Sequence, residues 1–90
     1  MKIVAVCGMG IGTSVLLKIN AEKALKLLDI EATVDAADVA TVRKVSFNAQ
    51  IILTTPDLVD ELQGLPAEII PIQHVFDLEE ISNKLSKALL

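Results

Sequence analysis

The chain has no tryptophan, no tyrosine and two phenylalanines. It therefore lacks aromatic platforms on which nucleobases or sugar rings could stack. It has no excess of positive charge either. Eight Lys and Arg stand against twelve Asp and Glu, a formal net charge of −4. That balance argues against a nucleic-acid role driven by phosphate contacts. There is one cysteine, so no internal disulfide can form. A lone thiol suits a reducing cytoplasm and reactive-thiol chemistry. No stretch approaches the ~20 apolar residues of a membrane span. Met1-Lys2 and the apolar residues up to Cys7 have the outline of a lipoprotein signal. The apolar part is too short for that role and Gly8 breaks it. A soluble cytoplasmic protein is expected. No metal-ligand cluster is visible, and neither metal nor cofactor is expected. Internal repeats, low-complexity segments and linkers are missing too.

What remains is aliphatic. Ninety residues, 52% of them hydrophobic, read as one domain over 1–90 with a modest core. That core must be built from Val, Ile, Leu and Ala.

The most informative stretch is near the start. The apolar run Ile3-Val4-Ala5-Val6 delivers Cys7, and glycines follow at alternate positions, Gly8, Gly10 and Gly12. Thr13 and Ser14 come next, then an apolar-periodic stretch. This reads as a strand, a phosphate-sized loop headed by a thiol, and the first turn of a helix. The glycines can take positive φ and leave the backbone uncovered. Successive N–H groups can then converge on an anion. Thr13 and Ser14 are suited to N-cap positions, and the helix adds the positive end of its dipole. The expected guest is an oxyanion, bound by Gly8, Met9, Gly10, Ile11, Gly12, Thr13 and Ser14. The same field would favour the thiolate of Cys7. A thiolate beside a phosphate cradle can carry a phosphoryl group as phosphocysteine. The plain reading of a lone cysteine is a small buried hydrophobe. Cys7 stands instead where strand gives way to loop, the place where open α/β sheets bind ligands.

The rest alternates strand and helix. Lys2–Val6 reads as a strand covered on both faces. Helix is expected from Thr13 to about Leu28, with Leu17, Ala21, Ala24, Leu25 and Leu28 inward. Glu31–Ala36 is expected as an edge strand. Its Asp35 could pass for a ribose-binding acid, but the glycine spacing is not G-x-G-x-x-G. Asp38 could cap a short helix with Val39, Val42 and Val45 inward, and Arg43-Lys44 make a small basic spot. Gln50–Thr54 is a buried strand, followed by a helix with Pro56 at its first position and its end near Gly64. Thr54 and Thr55 would reach the rim occupied by Cys7, as caps or as part of the site. Glu68–Ile72 is the fourth strand. His74, the sole histidine, follows as a proton carrier, a charge partner or a plain loop residue. Asp77-Leu78-Glu79-Glu80 is a capping box opening a helix to about Leu89, with Leu78, Ile81, Leu85 and Leu89 inward. The expected fold is α/β: a four-stranded parallel sheet in the order 2-1-3-4 with helices on both faces.

The segment Val-Cys-Gly-Met-Gly-Ile-Gly-Thr-Ser at 6–14 resembles the IIB components of the bacterial phosphoenolpyruvate-dependent sugar phosphotransferase system. Leu16-Leu17-Lys18 and the Ile-Leu-Thr-Thr-Pro-Asp turn at 52–57 support the likeness, which covers essentially the whole chain. The ascorbate branch is the nearest in kind, with the galactitol and lactose or cellobiose branches as relatives. The resemblance implies a phosphoryl carrier. A phosphohistidine on a IIA partner would donate to Cys7, and Cys7 would pass the group to a sugar presented by a membrane IIC partner. It also implies a phosphate-binding loop at Gly8 to Ser14 and a cytoplasmic location, peripheral to the membrane through IIC. One rival is a low-molecular-weight tyrosine phosphatase or arsenate reductase. Those enzymes carry an Arg six residues after the Cys, and Thr13 stands there instead. The other is a non-catalytic phosphate-binding module in which Cys7 is incidental.

Overall fold

The structure, a computed structural model, describes residues 1–8, 11–44 and 48–90, with Ile11 and Gly12 described by their backbone alone. Four strands, β1 (Lys2–Val6), β2 (Thr33–Ala37), β3 (Ile51–Thr54) and β4 (Glu68–Pro71), form one parallel sheet in the order β2-β1-β3-β4. Three α-helices accompany them: α1 (Ile11–Leu27), α2 (Val39–Lys44) and α3 (Leu78–Leu89). The expected sheet order and strand directions are thus the observed ones.

Two-residue alternation along the strands divides the core. On one face Ile3, Ala5 and Cys7 pack with Leu53, Ile72, and the inner sides of α1 and α3. On the other Val4, Val6 and Ile52 pack with Val42 of α2 and with Leu58 and Leu62. Helical structure covers both faces, as the unbroken apolar run of β1 requires. The inward stripe of α1 is Leu17, Ala21, Ala24 and Leu25, with Leu28 packed beside it. On α3, Ile81 and Leu85 are sealed and Leu78 and Leu89 flank them. Both stripes match the periodicity of the sequence. Val42 and Val39 of α2 also turn inward, while Val45 lies outside the described residues.

Three expectations are corrected. β2 starts at Thr33 and extends to Ala37, so it sits later than the expected 31–36. Its register is set by pairing with Lys2–Val6 rather than by its own alternation. α1 begins at Ile11, two residues before Thr13. The segment after β3 is no continuous helix but two 3₁₀ turns, Pro56–Leu58 and Asp60–Leu62. Pro56 does occupy the first helical position, and Gly64 (φ 91°) does follow the end. The Thr55 side chain makes no capping bond, however, and the segment is too short for propagation to offset helix nucleation. Bonds from Leu58 N to Thr55 O and Leu62 N to Val59 O close the tighter turns instead.

Candidate active site

Cys7 is the first residue beyond β1, at the carboxyl end of an inner strand. Its N–H still donates to Ala37 O of β2 (3.4 Å). On the other flank Val6 pairs with Thr54, and the Thr54 hydroxyl donates to Val6 O (2.8 Å). Thr54 is fully buried, so it is a structural clasp under the site and not part of its lining. Thr55 precedes the first 3₁₀ turn without a side-chain cap bond.

Gly8 is exposed, and its backbone is not in the left-handed region. The expected positive φ is therefore absent there. Close approach explains the residue better: a Cβ on Gly8 would stand 3.1 Å from Leu58 Cδ2 and 3.4 Å from Cδ1. Met9 and Gly10 lie outside the described residues. Ile11 and Gly12 open α1, which places Thr13 and Ser14 third and fourth within the helix. They are not its N-cap. Thr13 is half-buried and Ser14 is 6% exposed. α1 follows Cys7 closely in the chain, so its amino end belongs to the same rim of the sheet.

The thiol itself departs from expectation. Cys7 is 4% exposed and belongs to the core on the α1–α3 face. Burial pushes its pKa above the ordinary value, and the negative charge of Asp57 pushes it further. This direction is opposite to the one expected from the helix dipole. Burial disfavours a sulfur anion because the charge loses its hydration. Asp57 carried no role in the sequence reading beyond the turn that follows β3. It reaches Cys7 only because β3 pairs with β1, across some fifty residues of chain, and no local pattern announces that.

His74 lies on the β4–α3 connection and is largely exposed, with Nδ1 3.4 Å from Glu80 Oε1. Its ionic partner is thus on α3. The capping box is half formed. Asp77 Oδ1 accepts from the N–H groups of Glu79 (3.0 Å) and Glu80 (3.2 Å). Glu80 does not return to Asp77; it accepts from Gln73 N (2.8 Å), His74 N (2.9 Å) and Lys84 Nζ (2.7 Å). Burial opposes its ionisation, but the Lys84 hydrogen bond, the two amides and the Lys84 charge prevail. Together they hold its pKa down to about 2. Potential ligand atoms of His74, Asp77 and Glu80 lie within 4.8 Å of one another, a grouping the linear sequence did not display. The carboxylates already serve the helix cap and the loop amides, so the cluster reads as structural.

Arg43 donates to Glu61 O (2.8 Å) and ties α2 to the second 3₁₀ turn. A concavity of about 490 Å³ beside it is lined by Val42, Lys44, Gln50, Ile52 and Leu65. It opens at the amino ends of β3 and β4, opposite the rim that carries Cys7. Parallel α/β sheets place their chemistry at the carboxyl ends, so this hollow is not read as the site. No described helix is long and apolar enough to cross a membrane.

A parallel sheet with a thiol at the carboxyl end of an inner strand, leading into a long helix, defines a class: α/β proteins that bind or transfer an anionic group there. The family model for the lactose/cellobiose-specific IIB subunit of the PTS system matches residues 2–87. The ascorbate-specific PTS system EIIB component of Mycoplasma pneumoniae (strain ATCC 29342 / M129 / Subtype 1) is 36% identical over 90 residues, covering 99% of this chain and 95% of that protein. The lactose-specific IIB component domain of Streptococcus pneumoniae superposes with a TM-score of 0.64 at 17% identity, over 99% of this chain and 90% of that one. That likeness shows the shared fold. The chain belongs to the IIB family of the sugar phosphotransferase system, and its members are phosphotransferases. Membership implies IIA and IIC partners in general.

Proposed function

We propose that Cys7 carries the phosphoryl group. It accepts the group from a phosphohistidine on a IIA partner and passes it to a sugar presented by a IIC partner in the membrane. The position of Cys7, between the carboxyl end of β1 and the start of α1, carries this reading. The N–H groups of the Gly8–Ser14 segment bind the dianion, and positioning with charge stabilisation is most of what phosphoryl transfer asks. The Thr13 hydroxyl stands in the first turn and adds a donor. Ascorbate is the sugar suggested by the Mycoplasma relative, 95% of which this chain covers. The protein works on the cytoplasmic side, peripheral to the membrane through IIC, and 1–90 acts as one phosphotransferase domain.

A buried thiol with a raised pKa fits a carrier that loses its proton as phosphoryl arrives. The same burial also favours a second reading, in which Cys7 merely packs. Intact-mass measurement after incubation with a phosphohistidine IIA protein separates the two. The carrier gains one phosphoryl group, and Cys7→Ser gains none. An adduct that persists in the variant moves the carrier to another nucleophile, with His74 the sole imidazole to test.

A further inference from the structure

The parallel pairing of β1 and β3 sets Val6 against Thr54, and the Thr54 hydroxyl locks the two strand ends together. Leu58 then packs over Gly8. Asp57 lies between these two anchored residues in the chain, so its turn follows the carboxyl end of β3, beside that of β1. It lies on the first 3₁₀ turn and is exposed. We propose that the Asp57 carboxylate tunes the transfer reaction by charge: it repels negative charge built on Cys7 Sγ and keeps the phosphocysteine ready to give up its phosphoryl group. This rests on the proposed carrier role of Cys7.

The step it acts on is balanced. The Sγ–P bond forms, the N–P bond of the donor breaks, and the thiol proton passes to the departing imidazole. An S–H group is replaced by an S-linked phosphoryl dianion, so the product feels Asp57 far more than the thiol does. Amide donors at the start of α1 pull the other way. Too little stabilisation would prevent loading and too much would prevent delivery, and Asp57 sets the balance between them. Burial is the larger cause of the raised thiol pKa, and the Asp57 charge adds to it with the same sign. Asp38, next to Ala37 at the end of β2, has its carboxylate committed to Thr41 N (2.7 Å). The first turn of α1 holds no acid.

The test compares wild type, Asp57→Asn and Asp57→Glu by two readouts. One is the rate of Cys7 alkylation by iodoacetamide against pH. The other is the phosphorylated fraction at equilibrium with a phosphohistidine IIA protein, IIC being left out. Asp57→Asn should alkylate roughly three- to tenfold faster near neutral pH, and the difference should shrink at high salt. Its phosphorylation equilibrium should move towards phosphocysteine by at least as much. Asp57→Glu should stay near wild type in both. An Asp57→Asn protein that matches wild type in both readouts overturns the inference, as does faster alkylation with an unmoved equilibrium. Failure of wild type to take any phosphoryl group at Cys7 is a different result, and it sinks the carrier reading instead.

Discussion

Two helices, α1 and α3, start from the carboxyl edge of the same sheet and pack on the same face. Their beginnings are finished in opposite ways. At α3, Asp77 caps the first turn, Glu79 and Glu80 add negative charge, and Glu80 binds the two preceding loop amides. The anion is supplied by the chain itself. At α1 the first turn has no acid, and no Asp or Glu occurs anywhere before Glu22. A helix start without an acid in its first turn, next to a thiol, leaves the positive end of the dipole for an external phosphoryl group. On the proposed carrier role, the same helix physics serves stability at α3 and chemistry at α1.

The strongest way to break this contrast is to give α1 an anion of its own. Thr13→Asp should lower phosphoryl acceptance at Cys7 by about tenfold or more. The same variant should unfold at a slightly higher temperature, because an acid in the first turn suits the dipole by about 0.5 kcal/mol. Activity and stability moving in opposite directions is the signature, read by intact mass and thermal denaturation. A variant that loses both would point to simple disruption.

The converse change removes the internal anion of α3. Glu80→Gln should cost about 2 kcal/mol, measured by urea denaturation, since two amides and Lys84 lose a charged acceptor. The pH dependence has a defined sign. The folded-state pKa of Glu80 is about 2, below the ordinary carboxylate value. Its contribution is therefore fully present above about pH 4.3 and is lost as pH falls towards 2. The variant should lack that part of the acid-induced loss.

A smaller effect tests the clasp shared by β1 and β3. Thr54→Val keeps the shape but deletes the hydroxyl that donates to Val6 O. It should cost roughly 1 kcal/mol in denaturant titration. Smallest of all, Gly8→Ala should cost about 0.5 kcal/mol or a little more, because Leu58 must yield a few tenths of an ångström. An unchanged midpoint would show that Leu58 moves aside freely.

The sequence announced the architecture because the signals were local. Unbroken β-branched runs mark strands covered on both faces, and the stripes Leu17–Leu28 and Leu78–Leu89 carry the helical period. Cys7 at the end of the first run was visible for the same reason. Thr13 and Ser14 were placed as caps because their side chains favour that position. The helix instead starts at Ile11, with Gly12 tolerated inside its first turn. Glu80 was expected to close a capping box, yet the loop ahead of it offered two unpaired amides and Lys84 lay one turn on. Those competing partners were not evident from the motif.

Periodicity and residue type alone determined which segments are strands, which faces are apolar, and where a thiol meets a helix start free of acids. Tertiary structure decided the surroundings of that thiol. Packing of α1 and α3 on the sheet buried Cys7, and pairing β1 with β3 put Leu58 over Gly8 and the charge of Asp57, fifty residues on, within its influence. The physical reason is that desolvation and Coulomb repulsion depend on distance in space. Neither acts until the sheet has assembled.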